Sequence, residues 1–176
     1  MNIKAKKSLG QNFLIDKNII DKITSITNIQ DKEVLEVGPG SGNLTEQILR
    51  NKPKKIYVIE KDKNLCGILN NKFENQVNII NEDVLKIDEN LISKDKLIVF
   101  GNLPYNISTE IICNWILKLK NDVWFNELIL MFQKEVADRI ISKNNMSTFG
   151  RLSILSQWRL NIKKIIDIKP NSFNPK

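Results

Sequence analysis

Along this chain, short apolar runs alternate with stretches of helical periodicity. Ile19, Ile20, Ile23 and Ile26 recur at helical spacing, so residues 17–28 read as an amphipathic helix. Next come a strand at Val34–Val37, a helix at Leu44–Asn51, a strand at Ile56–Ile59 and a helix at Leu65–Phe73. Val77–Ile80 and Leu97–Phe100 read as two further strands with a short helical segment between them. Ser108–Leu119 reads as a helix capped by Ser108 or Thr109, Glu127–Phe132 as a strand and Lys134–Ser142 as a helix. The tail, Leu152–Ile168, alternates in the manner of one or two strands. Continuous Val/Ile runs alternating with helices imply a mostly parallel sheet covered on both faces. The expected architecture is a doubly wound α/β domain, whose ligands sit at the carboxyl ends of the strands.

Composition narrows the chemistry. At 176 residues the chain is the size of one domain, and no apolar run approaches the roughly 20 residues of a membrane span. The N-terminus lacks the apolar core of a secretory signal, so the expected location is the cytoplasm. Cys66 and Cys113 lie far apart without metal-ligand spacing, so neither a disulfide framework nor a metal site is expected. Zero histidines exclude Ser-His-Asp and Cys-His machinery and the zinc deaminases. Catalysis must then run on carboxylates, amides, hydroxyls or backbone groups.

The net charge of +7 has two readings. AT-rich codons alone could enrich the 23 Lys, 23 Asn and 28 Ile. Position argues otherwise: residues 1–15 carry +3, residues 151–176 carry +5, and the 135 residues between them sum to −1. Charge concentrated at two ends points to a polyanion-binding surface.

Candidate chemistry lies at the strand ends. The first core strand runs into Glu36-Val37-Gly38-Pro39-Gly40-Ser41-Gly42 and then a helix. Glycines let backbone approach a ligand closely, and a helix start offers N–H groups to an anion. The spacing GxGxG departs from the dinucleotide fingerprint and resembles the motif of S-adenosylmethionine-dependent methyltransferases. Glu60 closes the second core strand, where a carboxylate can accept from both hydroxyls of an adenosine ribose. Asp83 follows the third, placed to accept from an adenine amino group.

The fourth core strand ends in Asn102-Leu103-Pro104-Tyr105, the candidate catalytic residues. The lone pair of an exocyclic base amine is delocalised into its ring. The Asn102 side-chain oxygen and a backbone carbonyl held by Pro104 could accept its two N–H bonds, localising that pair and aiming it at a methyl donor. Tyr105 can stack on a base extracted from its helix.

These blocks together resemble the ribosomal RNA adenine N6,N6-dimethyltransferases of the kasugamycin-resistance type over nearly the whole chain. The resemblance rests on Lys7–Asp16, Glu36–Gly42, Glu60, Glu82–Leu85, Asn102–Tyr105, Gln133–Arg139 and Phe149–Ser153. It implies a Rossmann-like sheet binding S-adenosylmethionine, with S-adenosylhomocysteine as product and no metal. Asn12, Leu14, Gly38, Gly40, Glu60, Asp83 and Asn102 would hold the cofactor. The implied substrate is two adjacent adenosines in the 3′-terminal hairpin loop of small-subunit rRNA, each methylated twice within the pre-30S particle by a monomeric enzyme. Gln11, Lys6 and Lys7 would lie near the target nucleotide and its backbone, with Tyr105 and Phe173 on the two faces of the base.

Bland readings stand for three elements. Gln133–Ile140 reads as a structural amphipathic helix; Phe149–Ser153 as a turn entering a strand, from which Arg151 could contact phosphate; and Trp115, Trp124 and Trp158 as core or rim residues. Members of the resembled family continue into a smaller helical domain. The expectation is therefore a single catalytic domain over residues 1–176, lacking that domain, with cofactor binding intact and substrate selection weakened. Competing readings are a large-subunit rRNA adenine N6-methyltransferase and a non-catalytic ribosome-assembly factor. The glycine spacing disfavours an NAD oxidoreductase.

Overall fold

The structure, a computed structural model, describes residues 5–6, 9–119 and 123–175. Its core is a five-stranded, all-parallel sheet: β2 (Glu33–Val37), β3 (Lys55–Ile59), β4 (Asn78–Ile80), β5 (Leu97–Asn102) and β6 (Phe125–Met131), in the order β4-β3-β2-β5-β6. Two-residue strands β1 (Phe13–Leu14) and β7 (Phe173–Asn174) form a separate antiparallel ribbon.

Alternate residues of each strand feed two cores, one on each face. Val34, Ile56, Val58, Ile98 and Phe100 pack with α1 (Lys17–Thr24), α2 (Asn43–Arg50) and α3 (Lys63–Phe73). Leu35, Val37, Tyr57, Ile59 and Val99 pack with α4 (Ser108–Lys118), α5 (Lys134–Ile140) and α6 (Arg151–Arg159). Burial on both faces is why these strands read as unbroken apolar runs.

The chain moves outward from β2 to β3 and β4, then returns to place β5 on the other side of β2. This reversal makes the carboxyl ends of β2 and β5 a topological switch point, where crossover connections diverge and leave a crevice. Trp115 is buried and meets Trp124 edge to face at 5.4 Å, whereas Trp158 is exposed.

Four expectations are corrected or refined. The tail beyond Leu152 holds no strand before β7: Arg151–Arg159 is a helix, and residues 160–169 follow with neither helix nor strand. Leu152, Ser153 and Ser156 are its buried positions, and because two are serines the helical period was hidden from a hydropathy reading. The Phe149–Ser153 turn accordingly enters a helix, not a strand. Helix α4 is capped by Ile107, with no side-chain cap, and Ser108 is its first residue; the Ser108 hydroxyl donates to the Tyr105 carbonyl at 3.4 Å. The short helical segment between β4 and β5 is two 3-10 turns, Val84–Lys86 and Glu89–Leu91.

The ribbon brings Leu14 opposite Phe173, and both side chains join the core of the α1–α3 face. Phe173 is only 8% exposed. Phe173→Ala should therefore lower unfolding stability by about 3 kcal/mol, the scale of an aromatic truncation in a core. Urea denaturation checks this; a loss under about 0.5 kcal/mol, typical of a surface site, would contradict it.

Candidate functional site

The crevice is walled by the glycine turn after β2, the ends of β3 and β4, the end of β5, and a strap of residues 9–14 laid over them. Each wall follows from local sequence. Gly38, Gly40 and Gly42 all have positive φ, and two of them have no room for a side chain. A methyl at Gly40 would lie 2.7 Å from the Phe13 ring, and one at Gly42 the same distance from Phe73.

The strap is fastened by its carbonyls. Asn102 Nδ2 donates to the Asn12 carbonyl, and Asn43 Nδ2 donates to the Leu14 carbonyl at 2.8 Å. A methyl at Gly10, also at positive φ, would crowd the Asn106 side chain and the backbone of Tyr105. The last residue of β5 and the first of α2 thus grip the strap from two sides.

Two acceptors in this region have no partner. Asn12 Oδ1 and Asn102 Oδ1 are both buried and unpaired among the described residues. Buried amide oxygens without a donor are costly, and at a crevice they mark where a donor belongs.

Three acidic residues lining the crevice, Glu36, Glu60 and Asp83, and Asp62 beside it differ in charge state because burial and partners compete differently at each. Glu36 is fully buried behind the glycine turn and accepts from Thr45 Oγ1 at 2.6 Å. Burial, against the Thr45 hydrogen bond and with help from the Glu60 charge, pushes its pKa up to about 7. Glu60 is raised by burial, although N–H groups of Asp62 (2.8 Å) and Gly40 (3.4 Å) donate to its two oxygens. Asp83 is held below the usual carboxylate range by Lys61, 2.8 Å away, and by the Leu85 N–H it caps. Asp62 is also held low: burial opposes ionisation, but Lys6, Gln11 and the Asn64 N–H outweigh it.

Of the residues singled out from sequence, Gln11, Asn12, Leu14, Gly38, Gly40, Glu60, Asp83, Asn102, Leu103 and Pro104 line one crevice. Tyr105 follows directly, half-buried; burial raises its hydroxyl pKa against the opposing Asn12 side chain. Lys6 and Gln11 both engage Asp62. Phe173 lies in the core rather than in the crevice lining, and Arg151 is the exposed first residue of α6. Lys7 lies outside the described residues.

Sequence reading missed Lys61, Asp62 and Asn43. An Asp immediately before a helical run is an N-cap signal, so Asp62 was visible as a cap, but its partners 51 and 56 residues away were not. Among the described residues no cluster of His, Cys, Asp and Glu could hold a metal ion, and no helix is long and apolar enough to cross a membrane.

The chain matches the family described as ribosomal RNA adenine dimethylase over residues 2–176. It is 64% identical over 176 residues to ribosomal RNA small subunit methyltransferase A of Pelagibacter ubique, covering all of this chain and 67% of that protein. To the protein of that name from Nitrobacter winogradskyi it is 38% identical over 178 residues, covering 98% of this chain and 62% of the relative. Among solved structures it resembles a dimethyladenosine transferase from Plasmodium falciparum (TM-score 0.80, 28% identity, 93% of this chain and 58% of that one). It also resembles the 23S rRNA methyltransferase ErmE (TM-score 0.62, 25% identity, 82% of this chain and 55% of that one). The chain thus spans about two thirds or less of the length of these relatives.

Glu36 makes stability depend on pH. The unfolded chain loses this proton near 4.5 and the folded chain near 7, so between those values only the folded chain keeps it. Its contribution falls as pH rises through that window and is gone above it, a change of about 3 kcal/mol. Glu36→Gln should therefore match the parent near pH 4.5 and be more stable near pH 8, by thermal melts at both. Equal melting temperatures near pH 8 would contradict the neutral buried carboxyl.

Proposed function

The chain belongs to the ribosomal RNA adenine dimethylase family, and from that premise we propose that it transfers methyl groups from S-adenosylmethionine to the N6 amine of adenosines in small-subunit rRNA. One observation carries this reading: Asn102 Oδ1 is buried, unpaired among the described residues and at the end of β5, where the crevice opens.

The crevice fits the cofactor by the chemistry of its donors and acceptors. Glu60 has both oxygens oriented by backbone N–H groups and would receive the ribose hydroxyls. Asp83 would accept from the adenine amine, while Gly38 and Gly40 bring backbone close to the amino-acid tail. The Asn12–Leu14 strap would cover the cofactor, its backbone fixed by Asn102 and Asn43. When bound, S-adenosylmethionine supplies an electrophilic methyl on a sulfonium.

The protein's part is positioning. Asn102 Oδ1 accepts one N–H of the target amine, and a backbone carbonyl held by Pro104 accepts the other. Both contacts grow stronger as positive charge develops on the nitrogen, so they favour the transition state. Tyr105, adjacent to them, stacks the base. Each methyl transfer leaves the nitrogen positively charged, and one of its protons is then acidic enough to leave to water, so no histidine is needed. Asn102 Nδ2 is engaged by the Asn12 carbonyl, which fixes the amide so that its oxygen faces the substrate.

The substrate class rests on the relatives named small-subunit methyltransferases. Two adjacent adenosines in the 3′-terminal hairpin loop, methylated twice each within the pre-30S particle by a monomer in the cytoplasm, is the finer form of the proposal. Residues 1–176 are its catalytic domain. The likeness to ErmE favours large-subunit rRNA as the second reading.

Calorimetry should give saturable heat with S-adenosylmethionine and none with NAD; no heat with the former would overturn the cofactor assignment. Tritiated methyl should enter purified small subunits, and incorporation confined to large subunits would favour the second reading. Asn102→Ala should lower methyl transfer by about a hundredfold or more, the scale of removing one transition-state acceptor. Its RNA binding, measured by filter retention, should stay within about twofold.

A further inference from the structure

Asp62 is a buried carboxylate whose contacts exceed what capping a helix requires. Its side chain is 4% exposed. One oxygen accepts the Asn64 N–H at 3.0 Å and caps α3. Lys6 Nζ lies 2.9 Å from that oxygen and 2.7 Å from the other, which also accepts Gln11 Nε2 at 3.1 Å. Gln11 Oε1 in turn accepts the Lys6 N–H at 2.8 Å, closing a ring between strap and turn. On its other side Asp62 donates its own N–H to Glu60 Oε1 at 2.8 Å. A cap is ordinarily exposed and needs a single acceptor. This one is buried, and a buried charge is tolerable only when fully paired, so the strap must be in place for Asp62 to be satisfied.

We infer that Asp62 is a positioning residue: through Lys6 and Gln11 it fastens the strap across the mouth of the crevice, and it fixes the ribose-binding carboxylate of Glu60. The strap is then gripped at three points, by Asp62 at Lys6 and Gln11, by Asn102 at Asn12 and by Asn43 at Leu14. Retention of the nucleoside and presentation of Lys6 to an RNA backbone are thereby tied to one group. The Lys6 side chain remains 45% exposed while bonded to Asp62, so it can meet a phosphate without letting go. This inference rests on the cofactor reading above.

The test is Asp62→Asn, which keeps an acceptor for the Asn64 N–H and the backbone donor to Glu60 but loses the charge that holds Lys6. Calorimetry and stopped-flow with S-adenosylhomocysteine should show affinity weakened about tenfold, through faster dissociation, the scale of one charge-assisted hydrogen bond. Amides of residues 9–12 should exchange with solvent faster in the variant without any nucleoside present, while the melting temperature holds within about two degrees. Lys6→Met should reproduce both effects, and the double variant should be no worse than either single one. If nucleoside dissociation and strap exchange are unchanged in Asp62→Asn, Asp62 is a helix cap alone and the inference fails. If the parent protein binds no S-adenosylhomocysteine, the cofactor reading fails, and strap exchange still decides whether Asp62 holds the strap.

Discussion

The crevice depends on how three consecutive residues of the strap are held. The carbonyls of Asn12 and Leu14 are gripped by asparagines from β5 and α2, and Phe13 between them lies against Gly40. No side chain larger than hydrogen fits beneath that ring, so the glycine turn and the strap specify one another. Because Leu14 pairs with Phe173 in the ribbon, the same three residues also tie the far end of the chain to the core. A displacement of the strap would at once release the Asn102 amide, uncover the crevice and strip Leu14 from the packing of α1 and α2.

Electrostatics around the crevice follow the partners each carboxyl finds. Glu36, deepest and supported by a single hydroxyl, holds its proton up to about pH 7. Glu60 is raised as well, but two backbone N–H groups keep its oxygens oriented. Lys61 and Lys6 keep Asp83 and Asp62 ionised, although Asp62 is as buried as Glu60. The carboxylates bonded to a lysine are therefore the charged ones, while burial raises Glu36 and Glu60, which have no such bond among the described residues. Such an arrangement suits a ligand with hydroxyl and amine donors at one end and a cationic sulfonium at the other. It also explains how a chain without histidine can do its chemistry: desolvation and hydrogen bonds set the charge states, and positioning takes the place of proton shuttling.

How much of this was legible depended on the range of the interaction. The parallel strands declared themselves because burial on both faces leaves unbroken apolar runs, and the glycine turn because positive φ demands glycine. Helix α6 was hidden because Ser153 and Ser156, which read as polar, are buried in it. The Phe13–Leu14 and Phe173–Asn174 pairing was out of reach: strands of two residues carry no periodicity, and their partners lie 159 or more positions apart. Asp62 illustrates the same limit within the site. Its local role as a cap is written in the residues beside it, but its grip on Lys6 and Gln11 exists only once the strap has crossed the crevice.

The distribution of positive charge acquires its meaning from that pairing. In sequence the excess sits in residues 1–15 and 151–176, with near neutrality between. The β1–β7 ribbon joins these two segments through Phe13–Leu14 and Phe173–Asn174. Not all of the charge is equally available: Lys164 is paired with Asp167 at 2.8 Å, and Lys6 with Asp62. Lys6 nevertheless differs from a surface ion pair, because its partner is buried and immovable while its own side chain remains half in solvent. A phosphate near it adds a second anion to one side of an already oriented ammonium. Because association with a polyanion draws on released counterions, an exposed basic group of this kind would contribute most to the salt-dependent, sequence-independent part of RNA binding. On the proposed reading, selection of the base falls to Asn102 and Tyr105, with Asn102 bonded directly to a strap residue 90 positions away in sequence.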